Sequence, residues 1–261
     1  MDTKQIILVI LSLYILYVLY NSRYELFFTQ NTPAFMSKDD TIKYFKQDID
    51  GYVKNLTDLD LIALKSTSHD DYINKIITDA ADFSQSDKKK LIRACGEADD
   101  FFRKYKGISE VNFKKLANMN WIISKTNGKW YEAGYPHTRE NIIFITQDVI
   151  NHRDIVRIMI HEKIHVFERL YPEDIENWMK SQGYKPYKLL SDYPLARSNP
   201  DVNGIVYLDK NGNETLAQFK NKNPSGIDDA VYPGNKDWKF EHPYETLAYL
   251  VDYAYAGETF N

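Results

Sequence analysis

Cysteine is almost missing: Cys95 stands alone in 261 residues. That excludes an intramolecular disulfide framework and any thiolate-rich metal site, leaving histidine and carboxylate as the side chains able to hold a metal. An excess of one charge sign is also missing, because 37 acidic and 33 basic residues are interspersed to a net charge of -4. With no basic stripe for phosphate backbones, no nucleic-acid partner is expected. Internal repeats and low-complexity tracts are absent too. What remains is a chain with 43% hydrophobic and 27% charged residues, enough to bury a core as one large domain or two small ones.

One long apolar run breaks this average. Ile6 to Tyr20, IILVILSLYILYVLY, carries no charge. As a helix it would rise about 22 Å, somewhat short of a hydrocarbon core of about 30 Å. The NSRYELFFTQ that follows lacks a small-x-small cleavage pattern, so the expectation is an uncleaved single-pass anchor over residues 1–22. Lys4 and Arg23 balance each other across it and leave its orientation unset. Nothing in the sequence sets an oligomeric state.

The remainder reads as α+β. A linker is expected over residues 23–36, then a helical subdomain over 37–117 with helices opened by Ser37, Ser68 and Ser86, the last ending at Gly107. From residue 118 to 261 the texture is mixed: NWIISKT, KWYEAG and ENIIFIT read as strands, and Asn151 to Arg169 as a helix closed by Pro172. Residues 183–204 read as loop. IVYLDKNGNETLAQF reads as a hairpin around Asn-Gly, and a last helix is expected from Pro243 to Ala256 with Gly257 behind it.

The chemistry gathers at residues 158–168, IMIHEKIHVFE. Four positions apart on a helix, His161 and His165 can direct two imidazoles at one tetrahedral ion. Glu162, rotated about 100° around the axis, can reach a metal-bound water without being a ligand. With six histidines in the chain, an accidental His-Glu-x-x-His is on the order of one in a hundred. His152 and His69 read as ordinary surface or satisfied histidines. A third ligand must come from elsewhere, and EHPYETLAYLVD supplies the best candidate in Glu245, with His242 and Glu241 as fallbacks and Asp252 as a partner able to hold an imidazole.

These residues resemble the zincin metallopeptidases whose third ligand is a glutamate: His161, Glu162 and His165 match the motif and Glu245 the third ligand. More narrowly, GYPHTRENIIFIT, IMIHEKIHVFERLYP, ARSNPDVNGIVY and EHPYETLAYLV are similar, in that order, to zinc peptidases of large DNA viruses. The resemblance implies a zincin-like catalytic domain over residues 118–261, Zn2+ as cofactor, a peptide or protein substrate, and a substrate-pairing edge strand at Asn141 to Thr146. His137 is then a candidate oxyanion donor or a turn residue beside Pro136, while Arg197, Asn199, Tyr207 and Tyr249 are candidates for substrate binding. The expected function is a membrane-anchored zinc metallopeptidase with Glu162 as general base and acid. Two other readings stand beside it: a catalytically idle zincin-fold structural or virion membrane protein, and a zinc-dependent amidase acting on a non-protein polymer.

Overall fold

The computed structural model describes residues 32–232 and 237–260. The anchor expected over 1–22 and the linker up to residue 31 lie outside them, and among the described residues no helix is long and apolar enough to cross a membrane. Residues 33–261 form one compact α+β unit, so the helices of 37–117 share their core with the strands that follow.

A five-stranded sheet organises that core. Ala34–Phe35 pairs in parallel with Ile122–Thr126, which pairs in parallel with Ile142–Thr146, and His137–Arg139 closes the row antiparallel to that last strand. Ala80–Ala81 adds to Ile122–Thr126 from the side. The expected substrate-pairing strand is therefore corrected: Ile142–Thr146 has neighbours on both sides and is buried along its whole length, whereas the end of the row is His137–Arg139, itself covered by Asp201 and Arg169. A run buried on both faces reads as continuous apolar sequence, and IIFIT is such a run.

Successive residues of Ile142–Thr146 face opposite ways and divide the core in two. Ile143 and Ile145 pack with the helices Gln85–Lys104, Ile155–Leu170 and Pro243–Ala256, while Ile142 and Phe144 pack with Lys38–Gln47 and His69–Asp79 on the other face. Ser37 and Ser68 cap their helices as expected, but the long helix starts at Ser84 rather than Ser86 and ends at Lys104. Ser84 wins because Asp87 returns a hydrogen bond to its backbone N–H and completes a capping box.

Three further expectations change. KWYEAG is not a strand; it ends in a short 3-10 turn in which Glu132 (φ 44°), Ala133 (φ 51°) and Gly134 (φ 85°) are all left-handed. The helix expected from Asn151 is two helices, Gln147–Asn151 and Ile155–Leu170, broken at His152. Within residues 183–204, Lys185–Leu189 is a strand with every residue exposed, recruited by backbone pairing to Ile205–Leu208, so no hydrophobic alternation announced it. Ile205–Leu208 pairs with Glu214–Thr215 as the expected hairpin, and the last helix runs Pro243–Ala256 with Gly257 left-handed behind it.

The motif helix Ile155–Leu170 is buried continuously from Met159 to Glu168. Its rear is fixed by Lys163, whose Nζ lies 2.5 Å from Asp99 Oδ1, with Trp121 Nε1 donating to the other Asp99 oxygen at 3.1 Å. Its C-terminal end is fixed by Arg169, which donates to Thr138 Oγ1 and to the carbonyls of Glu140 and Pro200. One face of the helix is thus held against the sheet edge and the other is free to work.

Candidate metal centre

The working face meets the helix Pro243–Ala256. His161 Nε2 and His165 Nε2 are 3.0 Å apart, and Glu245 Oε2 lies 3.5 Å from the first and 3.7 Å from the second. Ligands about 2.1 Å from a tetrahedral ion stand about 3.3 Å from one another, so the spacing fits one ion. All three residues are buried. Two nitrogens and a carboxylate oxygen could therefore hold a metal here, and the donor set suits a divalent ion of borderline softness.

Each imidazole is oriented by its far nitrogen. His161 Nδ1 lies 3.1 Å from Asp252 Oδ2, and the other oxygen of that carboxylate, Oδ1, accepts from Arg157 Nε at 2.8 Å. His165 Nδ1 lies 2.8 Å from Glu168 Oε2, and both of those side chains are fully buried. A carboxylate accepts from each Nδ1, so each Nε2 faces the common point and is the atom a metal would take. Asp252 was legible in the sequence through its stripe with Glu245 and Tyr249. Glu168 was missed, although three residues beyond His165 on the same helix it is the nearest carboxylate the geometry allows.

Electrostatics follow from burial and crowding. Burial lowers the pKa of His161, but hydrogen bonds donated to Asp252 and Glu245 outweigh it and hold the ring at about 9. His165 is likewise pulled down by burial and carried well above its ordinary value by Asp201, Glu245 and Glu168. Glu245 moves the other way: burial raises it, yet the two histidines hold it well below the usual carboxylate range. Glu162 has no such partner, and burial with the neighbouring Asp201 pushes it up to about 8. Its Oε2 is buried with no hydrogen-bond partner among the described residues.

The site opens into a cleft of about 750 Å³ walled by His137, Glu162, Arg197, Asn199, Glu241 and Tyr249, among others. Asn199 Nδ2 donates to Glu241 Oε1 and, at 3.0 Å, to Glu245 Oε1, the oxygen of the third carboxylate that does not face the histidines. Arg197 Nη1 pairs with Glu241 at 3.5 Å. Tyr249 lays its ring against His161, with centroids 4.3 Å apart, and Trp238 packs edge-on against Tyr249. Tyr207, by contrast, does not line the cleft; its hydroxyl accepts from Asn203 and its ring packs on His242. His242 is no ligand in waiting, since Nδ1 accepts from the Tyr244 N–H as a helix cap and Nε2 meets Asn203 Oδ1.

His137, buried on the edge strand, has Nδ1 at 2.9 Å from the Tyr135 carbonyl. A carbonyl only accepts, so Nδ1 carries the proton; burial lowers the ring's pKa, leaving it neutral with Nε2 as a bare acceptor. Of the two readings of His137, this contact across Pro136 is of the turn kind, and an oxyanion donor would need the opposite protonation. His152, outside the motif helix, stands exposed at the cleft mouth. No known family description, characterised protein or solved structure matches the chain.

Proposed function

We propose that the protein is a zincin-like, zinc-dependent metallopeptidase, held at a membrane by its N-terminal apolar segment. The observation that carries this reading is Glu162: a buried carboxyl with an unpartnered oxygen, next to three side chains spaced for one ion. A purely structural metal site needs His161, His165 and Glu245 but has no use for an orphaned acid among them. When bound, zinc supplies Lewis-acid polarisation of a carbonyl and brings the pKa of a water toward about 7.

The chain's residues do the rest. Glu162 accepts the proton of the attacking water and returns it to the leaving amine. Asp252 and Glu168 keep both imidazoles turned inward, and Asn199 fixes the rotation of the Glu245 carboxylate. Tyr249 and Trp238 form a wall that limits water beside His161. A peptide is favoured over another polymer because the cleft reaches the start of the strand His137–Arg139, at Pro136 and His137, where an extended chain can lie.

The test is Glu162→Gln. It should keep the metal and lower kcat on a cleaved peptide by about 10²- to 10⁴-fold. Undiminished hydrolysis by a metal-loaded variant would remove Glu162 from the mechanism.

A further inference from the structure

Beyond the metal centre, the cleft wall holds a carboxylate that the Arg197 guanidinium feels electrostatically but does not bond. Glu132 is 4% exposed and lines the same cleft, yet it makes no ion pair among the described residues. The two arginines of the cleft are committed elsewhere, Arg157 to Asp252 and Glu258 and Arg197 to Glu241. Glu132 Oε1 accepts from the hydroxyls of Tyr52 at 2.9 Å and Tyr72 at 2.8 Å, which leaves Oε2 without a donor of its own. Burial, reinforced by Glu132 itself, holds both tyrosines well above their ordinary pKa, so both remain donors.

The backbone is bent to put that carboxylate there. Glu132 and Ala133 both sit at positive φ, a conformation that costs a non-glycine residue on the order of 1 kcal/mol or more and that persists only where surroundings impose it. Asp79 imposes it by accepting from the Trp130 and Tyr131 N–H groups at 2.5 and 2.9 Å. Next to Glu132 stands His137, nine-tenths buried and more, whose Nε2 is an acceptor with no partner among the described residues. His137 Nε2 is thus a buried acceptor without a donor, and it shares its wall with the Glu132 carboxylate and Asp228.

We propose that this part of the cleft is a subsite for a cationic side chain, a substrate lysine or arginine, with Glu132 as its counter-ion and His137 Nε2 as a second acceptor. The proposal rests on the peptidase reading and adds its substrate preference. An ammonium or guanidinium brings several donors and a positive charge, which an alkyl chain of the same length does not.

Tripeptide hydroxamates, which direct themselves to a metal, provide the probe: each position in turn carries lysine or its uncharged isostere norleucine. Binding to the metal-loaded full chain is measured by calorimetry, with metal content determined separately. At one position lysine should bind at least about tenfold more tightly than norleucine, as a charge-assisted hydrogen bond provides. Glu132→Gln, which keeps Oε1 as acceptor for both tyrosines, should reduce that ratio to about twofold or less. Equal binding of the two probes at every position in the wild type overturns the subsite, and so does a preference that survives Glu132→Gln in a variant with native melting. A wild-type chain that retains no metal overturns the peptidase reading instead, and metal analysis reports that outcome before any probe is added.

Discussion

Removing Asp252 tests whether the carboxylate behind His161 sets metal affinity. Asp252 is 3% exposed, accepts from His161 Nδ1 at 3.1 Å, and is itself neutralised by Arg157 at 2.8 Å. Asp252→Ala leaves the imidazole free to rotate and removes the acceptor that keeps its proton on Nδ1. Loss of such a supporting carboxylate typically lowers metal affinity about 10- to 100-fold, or about 1.4 to 2.7 kcal/mol. Because a ligand stabilises the folded chain in proportion to the logarithm of its affinity, the rise in Tm produced by saturating zinc should shrink by about 3 to 10 °C for a unit of this size. Competition against a chromophoric chelator measures the affinity, and melting with and without zinc measures the linkage. Arg157 keeps Glu258 as partner at 2.8 Å, so the metal-free variant should still fold. An Asp252→Ala protein that folds and binds zinc within about twofold of wild type would refute the account of how His161 is oriented.

Other outcomes follow from the same contacts. Lys163→Met strands the Asp99 carboxylate in the core behind the motif helix and should cost about 3 to 5 kcal/mol in denaturant unfolding, whereas Lys163→Met combined with Asp99→Leu should recover most of it; equal losses would show that the pair does not act as a unit. Zinc uptake should strengthen with pH: His161 is raised to about 9 in the metal-free site, so it holds a proton at pH 7 that the metal must displace, and affinity should climb by about tenfold per pH unit per displaced proton until it levels off near pH 9. A flat profile from pH 6.5 to 9 would contradict that protonation. Arg169→Ala removes the clamp joining Thr138, Glu140 and Pro200, and should raise KM for a cleaved peptide more than it lowers kcat; an unchanged KM would detach the edge strand from substrate binding.

Local sequence determined the parts of this protein whose signals lie within a few residues. His161, Glu162 and His165 share a helix because helical spacing needs only the helix itself, and the helix Pro243–Ala256 is bounded by its own proline and glycine. The polar stripe through Glu245, Tyr249 and Asp252 was legible for the same reason. Contacts made at a distance were not. Ile142–Thr146 lies inside the sheet because Ile122–Thr126 and His137–Arg139 flank it, and pairing partners leave no trace in a five-residue apolar run. Asn199 was read as a group for substrate and, on the cleft wall, is bonded to Glu245, a contact the sequence did not announce, while Tyr207 turned to Asn203 and away from the cleft. Glu132 carried no sequence signal at all, since its meaning depends on Tyr52, Tyr72 and Asp79 converging from other elements to hold a left-handed turn. The identities of the groups able to bind a metal were written in the sequence; which carboxylates orient them, and which one is left on the cleft wall outside any ion pair, was decided by long-range packing, because only burial makes such a charge costly enough to mean something.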